Sequence, residues 1–133
     1  MTHKIIQPDN WSKASGYANG VLTADGTLYV GGQIGWTAEQ KFETHDFIGQ
    51  MEQALTNIVE VVEAAGGKIS DITRLTWFIL DKKEYLSRLP EVGEVYRRVL
   101  GRHFPAMSML VIKELIEDDA LLEIEATAVL TGE

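Results

Sequence analysis

The residues best suited to chemistry in this chain are two carboxylates in "LLEIEATAVL", Glu123 and Glu125. Successive side chains of a strand point to opposite faces, so the two glutamates share one face while Leu122, Ile124 and Ala126 share the other. The apolar set belongs against a core, which leaves the acids on the opposite side. A carboxylate there must be paired, hydrogen-bonded or kept protonated. Either it meets an arginine or backbone donors at an interface, or it positions water or a ligand at a cleft. A second stretch, "HFPAMSML" at 103 to 110, leads from a histidine, an aromatic and a proline into alternating small and apolar residues around Met107. Ser108 beside it has no elbow motif and no base supplied by spacing, so it reads as a ligand contact and not a nucleophile. Gly31-Gly32-Gln33-Ile34-Gly35 lacks the Lys-Ser/Thr ending of a phosphate loop and runs into no helix. It marks a strand-to-loop transition where something approaches the backbone closely. His3, His45 and His103 show no metal-ligand spacing, and His45-Asp46 suit a helix start. No metal and no cofactor are expected.

The rest of the composition narrows the class. With 133 residues, 45% of them hydrophobic and 24% charged, the chain reads as one globular domain spanning 1–133. A net charge of −8 repels phosphate backbones and argues against nucleic-acid partners. The densest basic group, Lys82-Lys83 with Arg88, Arg97, Arg98 and Arg102, is interleaved with acids and reads as a solvated helix face. The absence of cysteine removes disulfides, thiolate nucleophiles and cysteine metal sites. "MTHKIIQPDNW" has no apolar core of signal-peptide length, and no run approaches bilayer thickness. The expectation is a soluble, cytoplasmic protein without a membrane partner.

The elements that must position these residues follow from periodicity. Asp25-Gly26 supplies a tight turn between strands at Val21 to Thr23 and Thr27 to Val30, with Gly31-Gly32 ending the second and "QIGWTAEQKF" forming a loop. Phe47, Met51, Leu55, Ile58 and Val62 recur along a helical stripe that Thr44 caps and Gly66-Gly67 stop. "ITRLTWFIL" at 72 to 80 reads as a strand covered on much of both faces. Tyr85, Leu89, Val92, Tyr96 and Val99 trace a second helix, which Pro90 and Gly93 kink or delay. Strands at Ala106 to Ile112 and Leu121 to Leu130 complete the order β-β-α-β-α-β-β. This is an α+β domain with two helices on one face of a single mixed sheet. The other face carries Trp77 or Phe78 and the two glutamates. Burial against copies of itself would cover that face, so a closed homo-oligomer is expected.

Six segments in order, "SGYANGV" at 15 to 21, "LYVGGQIG" at 28 to 35, "QALTNIVEVVEAAGG" at 53 to 67, "DITRLTWFILD" at 71 to 81, "YRRVLGRHFPA" at 96 to 106 and "LEIEATAVL" at 122 to 130, resemble the RidA/YjgF family of enamine and imine deaminases. The resemblance implies a chorismate-mutase-like subunit, a homotrimer, and ligand clefts between adjacent subunits. It implies hydrolysis of reactive 2-imino and enamino acids to 2-keto acids and ammonia. It places Tyr17 in the cleft, Gly31 or Gly32 where a backbone group faces the ligand, and Glu123 as the holder of the attacking water. The family's carboxylate-gripping arginine, directly after "FPA", corresponds to Met107 here, and a family asparagine corresponds to Gly93. This chain therefore resembles a divergent member lacking the family arginine, with a less polar cleft in which Trp36 and Met107 lend apolar contact and Ser108 lies alongside.

Two functions from different classes follow. One is hydrolysis of an imine other than 2-aminoacrylate, with Glu123 and Tyr17 at the reacting atoms and Arg74 or Arg102 of a neighbouring copy as a substitute cation. The alternative is non-catalytic binding of a small apolar or aromatic metabolite, or a protein-interaction role.

Overall fold

The computed structural model describes residues 2–132. Six strands form one mixed sheet: β1 (Lys4–Ile6), β2 (Gly20–Leu22), β3 (Thr27–Ile34), β4 (Ile72–Ile79), β5 (Ala106–Val111) and β6 (Leu122–Val129), in the spatial order β1-β2-β3-β6-β4-β5. Only β4 and β5 run parallel; the other pairs are antiparallel. A parallel neighbour requires a crossover. Here the crossover contains α2 (Lys82–Ser87) and α3 (Leu89–Leu100), while α1 (Phe47–Ala64) joins β3 to β4.

The α+β class, the single mixed sheet and its open face agree with the patterning. Three details depart from it. A short strand at Lys4–Ile6 pairs with β2, in a segment whose polar flanks hide its two isoleucines. The second helical region is two helices, because the chain turns at Arg88 and restarts with Pro90 in the first turn of α3, where a missing N–H costs nothing. Strand β3 continues through Gly31-Gly32 to Ile34, its register against β6 shifting between Val30 and Gln33. The two glycines thus mark a bulge inside a strand, not its end.

Helix α1 buries Phe47, Met51, Ala54, Leu55, Ile58, Val61 and Val62 against the sheet. Its cap is Asp46, not Thr44: the Asp46 carboxylate accepts from the amides of Ile48 and Gly49, while Thr44 Oγ1 accepts from the Asp46 amide. Gly66, at φ +90°, provides the left-handed exit expected of Gly66-Gly67. From the sheet, Leu28, Leu75, Trp77, Ile79, Leu122, Ile124, Ala126 and Ala128 meet the helices.

Two polar residues interrupt the buried stripe of α1. Gln50, fully buried, donates to Thr44 O (3.1 Å) and Asp119 O (2.9 Å) and accepts from the Leu121 amide at 2.8 Å, tying the entry of β6 to the start of α1. Asn57 donates to Ile34 O (3.2 Å) and Trp36 O (2.9 Å), fixing the chain as it leaves β3. Gln50→Leu would strand three backbone groups in the interior. With each unpaired group costing about 1–3 kcal/mol, a loss of roughly 3 kcal/mol or more is expected. Urea unfolding measures it, and an unchanged midpoint would refute this role for Gln50.

Candidate functional site

The site residues fall into two groups on different surfaces of the chain. The first group lies where the β3 bulge meets β6. Ile34 and Phe78 flank Glu123 in register across the sheet, so the glutamate stands at the centre of the open face. Its carboxylate lies directly over Gly32, where any Cβ would collide with it. Gly31 is occupied differently: its amide donates to Asn19 O at 2.8 Å, and its carbonyl accepts from Gln33 Nε2 at 3.1 Å. Of the two adjacent glycines, Gly32 is the one that makes room for the acid.

A cavity of about 300 Å³ opens there, bordered by Tyr17, Gly32, Trp36, Ile116 and Glu123. Tyr17 is half exposed and its hydroxyl accepts from Gln40 Nε2 at 3.4 Å. Trp36 packs on Phe42 with ring centroids 5.9 Å apart and is held from behind by Asn57. Buried Gln33 and Asn19 form a further brace: Gln33 Nε2 donates to Asn19 Oδ1 at 3.1 Å, and Asn19 Nδ2 donates to Gln7 Oε1 at 3.0 Å. These braces were not singled out from sequence. Their one visible sign is an amide side chain where the pattern calls for an apolar one, as at Gln50 and Asn57.

Glu123 is half-buried, and among the described residues its carboxylate has no hydrogen-bond or ion-pair partner. Burial pushes its pKa above the ordinary 4.5, and the like charge of Glu125 pushes it the same way.

The second group is separate. Met107 pairs with Leu75 and Met109 with Trp77, so both methionines lie on the helix side of the sheet, while Ser108, beside Thr76, lies on the open face. Met107, Met109 and Gly93 border a smaller cavity of about 190 Å³ with Trp77, Tyr96 and Phe104. Tyr96 stacks on Phe104 at 5.3 Å and 7°, and on Trp77 at 6.5 Å and 24°. The Tyr96 hydroxyl donates to His103 O at 2.6 Å, and burial pushes its pKa up to about 12. The two cavities share no bordering residue. One chain brings Tyr17, Gly32, Trp36 and Glu123 together and Gly93 and Met107 together, but does not unite the groups. Ser108 borders neither cavity. Among the described residues no cluster of metal-ligating side chains occurs, and no helix is long and apolar enough to cross a membrane.

The family model for endoribonuclease L-PSP matches residues 9–130. The chain belongs to the RidA/YjgF family. A RutC family protein, UK114, of Drosophila melanogaster is 33% identical over 99% of this chain and 92% of its own. The 2-iminobutanoate/2-iminopropanoate deaminase of Escherichia coli is 32% identical, covering 95% and 97%. Among solved structures, E. coli TdcF with bound serine matches with a TM-score of 0.80 and 30% identity over 96% of this chain and 99% of that one.

The raised pKa of Glu123 sets a sign for stability in this family member. The unfolded carboxyl ionises near 4.5 and the folded one at higher pH, so folding is penalised once the pH passes the unfolded value. Relative to Glu123→Gln, the natural chain should lose stability as pH rises from about 4.5 through the raised value, then hold a constant deficit. Urea unfolding at stepped pH reads this difference. A flat difference would mean that burial and Glu125 do not perturb the carboxyl.

Proposed function

We propose that this chain assembles as a homotrimer whose clefts form where the Glu123 cavity of one copy meets the Met107 cavity of the next, and that these clefts hydrolyse an imine or enamine metabolite. Two incomplete half-sites on separate surfaces support a head-to-tail arrangement that closes into a ring. So does the apolar exposure of edge strand β5, with Leu110 47% and Val111 54% exposed, beside Tyr29 at 54% on the open face. Assembly would cover both.

The observation that carries the reading is the partnerless, half-buried Glu123 carboxyl over Gly32, with its raised pKa. Such a group holds a proton to higher pH than an ordinary carboxylate, which suits it to accept a proton and return it. In the reaction, water adds to the carbon of the protonated imine, C=NH2+, while Glu123 takes a proton from the water, giving a neutral carbinolamine. Glu123 returns that proton to the nitrogen, and cleavage of the C–N bond then releases ammonia as the hydroxyl proton passes to the Glu123 carboxylate, leaving the C=O product. Tyr17 borders the same cavity and would contact the nitrogen or a neighbouring oxygen. Imine hydrolysis proceeds in water unaided, so positioning the two reactants suffices for useful acceleration. The relatives named as 2-iminobutanoate/2-iminopropanoate deaminases favour this class. Met107, in place of a carboxylate-binding arginine, argues for a substrate other than 2-aminoacrylate.

The second reading is retention of an apolar or aromatic metabolite without turnover, which the methionine and aromatic lining of the smaller cavity favours. Endoribonuclease activity fits poorly with a net charge of −8.

Coupled assays separate these readings, with an amino-acid oxidase generating imines from small, branched and aromatic amino acids and semicarbazide trapping the free imine. The natural chain should lower trapping of at least one imine, and Glu123→Gln should reduce that activity about 100-fold or more, the scale of a lost general base. Equal activity in the variant would remove Glu123 from the mechanism. Sedimentation of the natural chain as a monomer would remove the cleft itself.

A further inference from the structure

The smaller cavity contains a cation that the sequence pattern hides. Arg97 is the one charged residue bordering it. It lies one helical turn after Gly93, and its guanidinium folds back over that glycine: a Cβ at position 93 would sit 3.1 Å from Arg97 Nη1. The other two arginines of this helix and its cap are spoken for. Arg88 pairs with Asp46 at 2.6 Å, Glu91 at 2.8 Å and Glu84 at 3.2 Å, and Arg98 pairs with Glu52 at 3.1 Å. The Arg97 side chain makes no hydrogen bond or ion pair among the described residues. In a chain of 20 acidic and 12 basic residues, an arginine left unpaired beside an apolar cavity is a spare anion receptor.

The remaining walls define the rest of the ligand. Trp77, Tyr96 and Phe104 form a continuous stack, and Met107 and Met109 supply adaptable apolar surface on the neighbouring strand, Met109 in register with Trp77. An apolar slot with a single guanidinium at its border suits a molecule with a flat or bulky apolar body and one carboxylate, gripped by two parallel N–H donors. We propose that Arg97 is the carboxylate anchor of this cavity, and that its ligands are 2-oxo or 2-imino acids with an aromatic or large apolar side chain. The 2-imino assignment rests on the imine-hydrolysis reading; the carboxylate anchor and the apolar slot do not. Glycine at position 93 leaves room for the guanidinium, which a Cβ there would press from 3.1 Å. Arg97 belongs to the same chain as the cavity it borders, so this anchor needs no cation from a neighbouring copy.

The test is calorimetric titration of the full-length assembled protein with phenylpyruvate, its methyl ester and pyruvate, for the natural chain, Arg97→Gln and Arg97→Lys. The natural chain should bind phenylpyruvate about ten-fold or more tighter than the ester, the scale of a charge-assisted bidentate pair. It should bind pyruvate about ten-fold or more weaker than phenylpyruvate, since the benzyl group is what the slot buries. Arg97→Gln should weaken phenylpyruvate to the level of the ester and leave the ester unchanged; Arg97→Lys should fall between. Arg97 is exposed and unpaired, so these variants should fold with unchanged circular dichroism. Equal binding of acid and ester, a preference that survives Arg97→Gln, or no binding of phenylpyruvate by the natural chain would each overturn the proposal. The same titrations with Glu123→Gln separate the two readings. Arg97-dependent binding in a chain that clears no imine upholds the anchor and rejects hydrolysis.

Discussion

Strand β6 lies between β3 and β4, and its alternation is the constraint on which both the core and the site depend. Leu122, Ile124, Ala126 and Ala128 are buried against the helices, while Glu123, Glu125 and Thr127 face the other way. A one-residue slip would drive two carboxylates into the core and expose four apolar side chains, so the register is strongly specified. The small residues at 126 and 128 let α1 approach closely, and the larger ones at 122 and 124 fill the space toward its N-terminal end. Glu123 holds its place because the hydrophobic effect fixes its neighbours, with no partner of its own. That arrangement leaves a carboxyl half-buried and, among the described residues, unpaired in a rigid setting, where a hydrogen-bonded acid would be held in one protonation state.

The loops around this strand are fixed by a different force. Gln50 and Asn57, seven residues apart on the buried stripe of α1, spend their side-chain amides on backbone carbonyls and an amide of the segments that border the larger cavity. Gln33 and Asn19 brace the β3 bulge mainly side chain to side chain, with Gln33 Nε2 donating to Asn19 Oδ1 and to Gly31 O. Each buried amide is expensive to leave unsatisfied, which makes the loop positions nearly as strict as those of the strands. Trp36 and Tyr17 are loop residues, yet Trp36 is held at its own carbonyl and Tyr17 precedes the braced Asn19 by two positions.

Much of this was legible in the sequence, and the exceptions have physical causes. Periodicity alone places the glutamates on the open face and α1 on the core, because burial dominates those choices, while the choice between Trp77 and Phe78 falls to Phe78 only with the register of β4 against β6. It misplaces the cap at Thr44, since Thr44 and Asp46 are both good cap residues and only geometry chooses between them. It reads Gly31-Gly32 as a strand end, since a bulge and a terminus make the same local demand for glycine. The site is less legible still. Strand alternation separates Ser108 from Met107, and sequence adjacency conceals that. Arg97 reads as one more solvated cation in "EVYRRVLGR" until the helix is built and the residue one turn before it proves to be glycine. Arg97 and Arg98 are neighbours of identical chemistry, separated by about 100° around the helix, so one reaches Glu52 and the other the cavity.

The chemistry sets unequal demands on the two half-sites. Adding water to a C=N bond requires the base within hydrogen-bond reach of the water, and the water in line with one carbon, so a displacement of an ångström is costly. On the proposed mechanism that demand would fall on Glu123, which the fold holds on a central strand over a close-packed glycine. A carboxylate anchor has only to meet a charge at one end of the ligand, and a long guanidinium side chain can do so from more than one backbone position. Strand β5 and helix α3 form opposite walls of the same slot, so moving the cation from one wall to the other preserves the charge and changes the space beside it. On the proposed reading, with methionine on the strand and arginine on the helix, the slot would keep its claim on acids while opening an apolar floor. Such a change would alter which side chain an imino acid carries into the proposed cleft and leave the reacting carbon where Glu123 would need it.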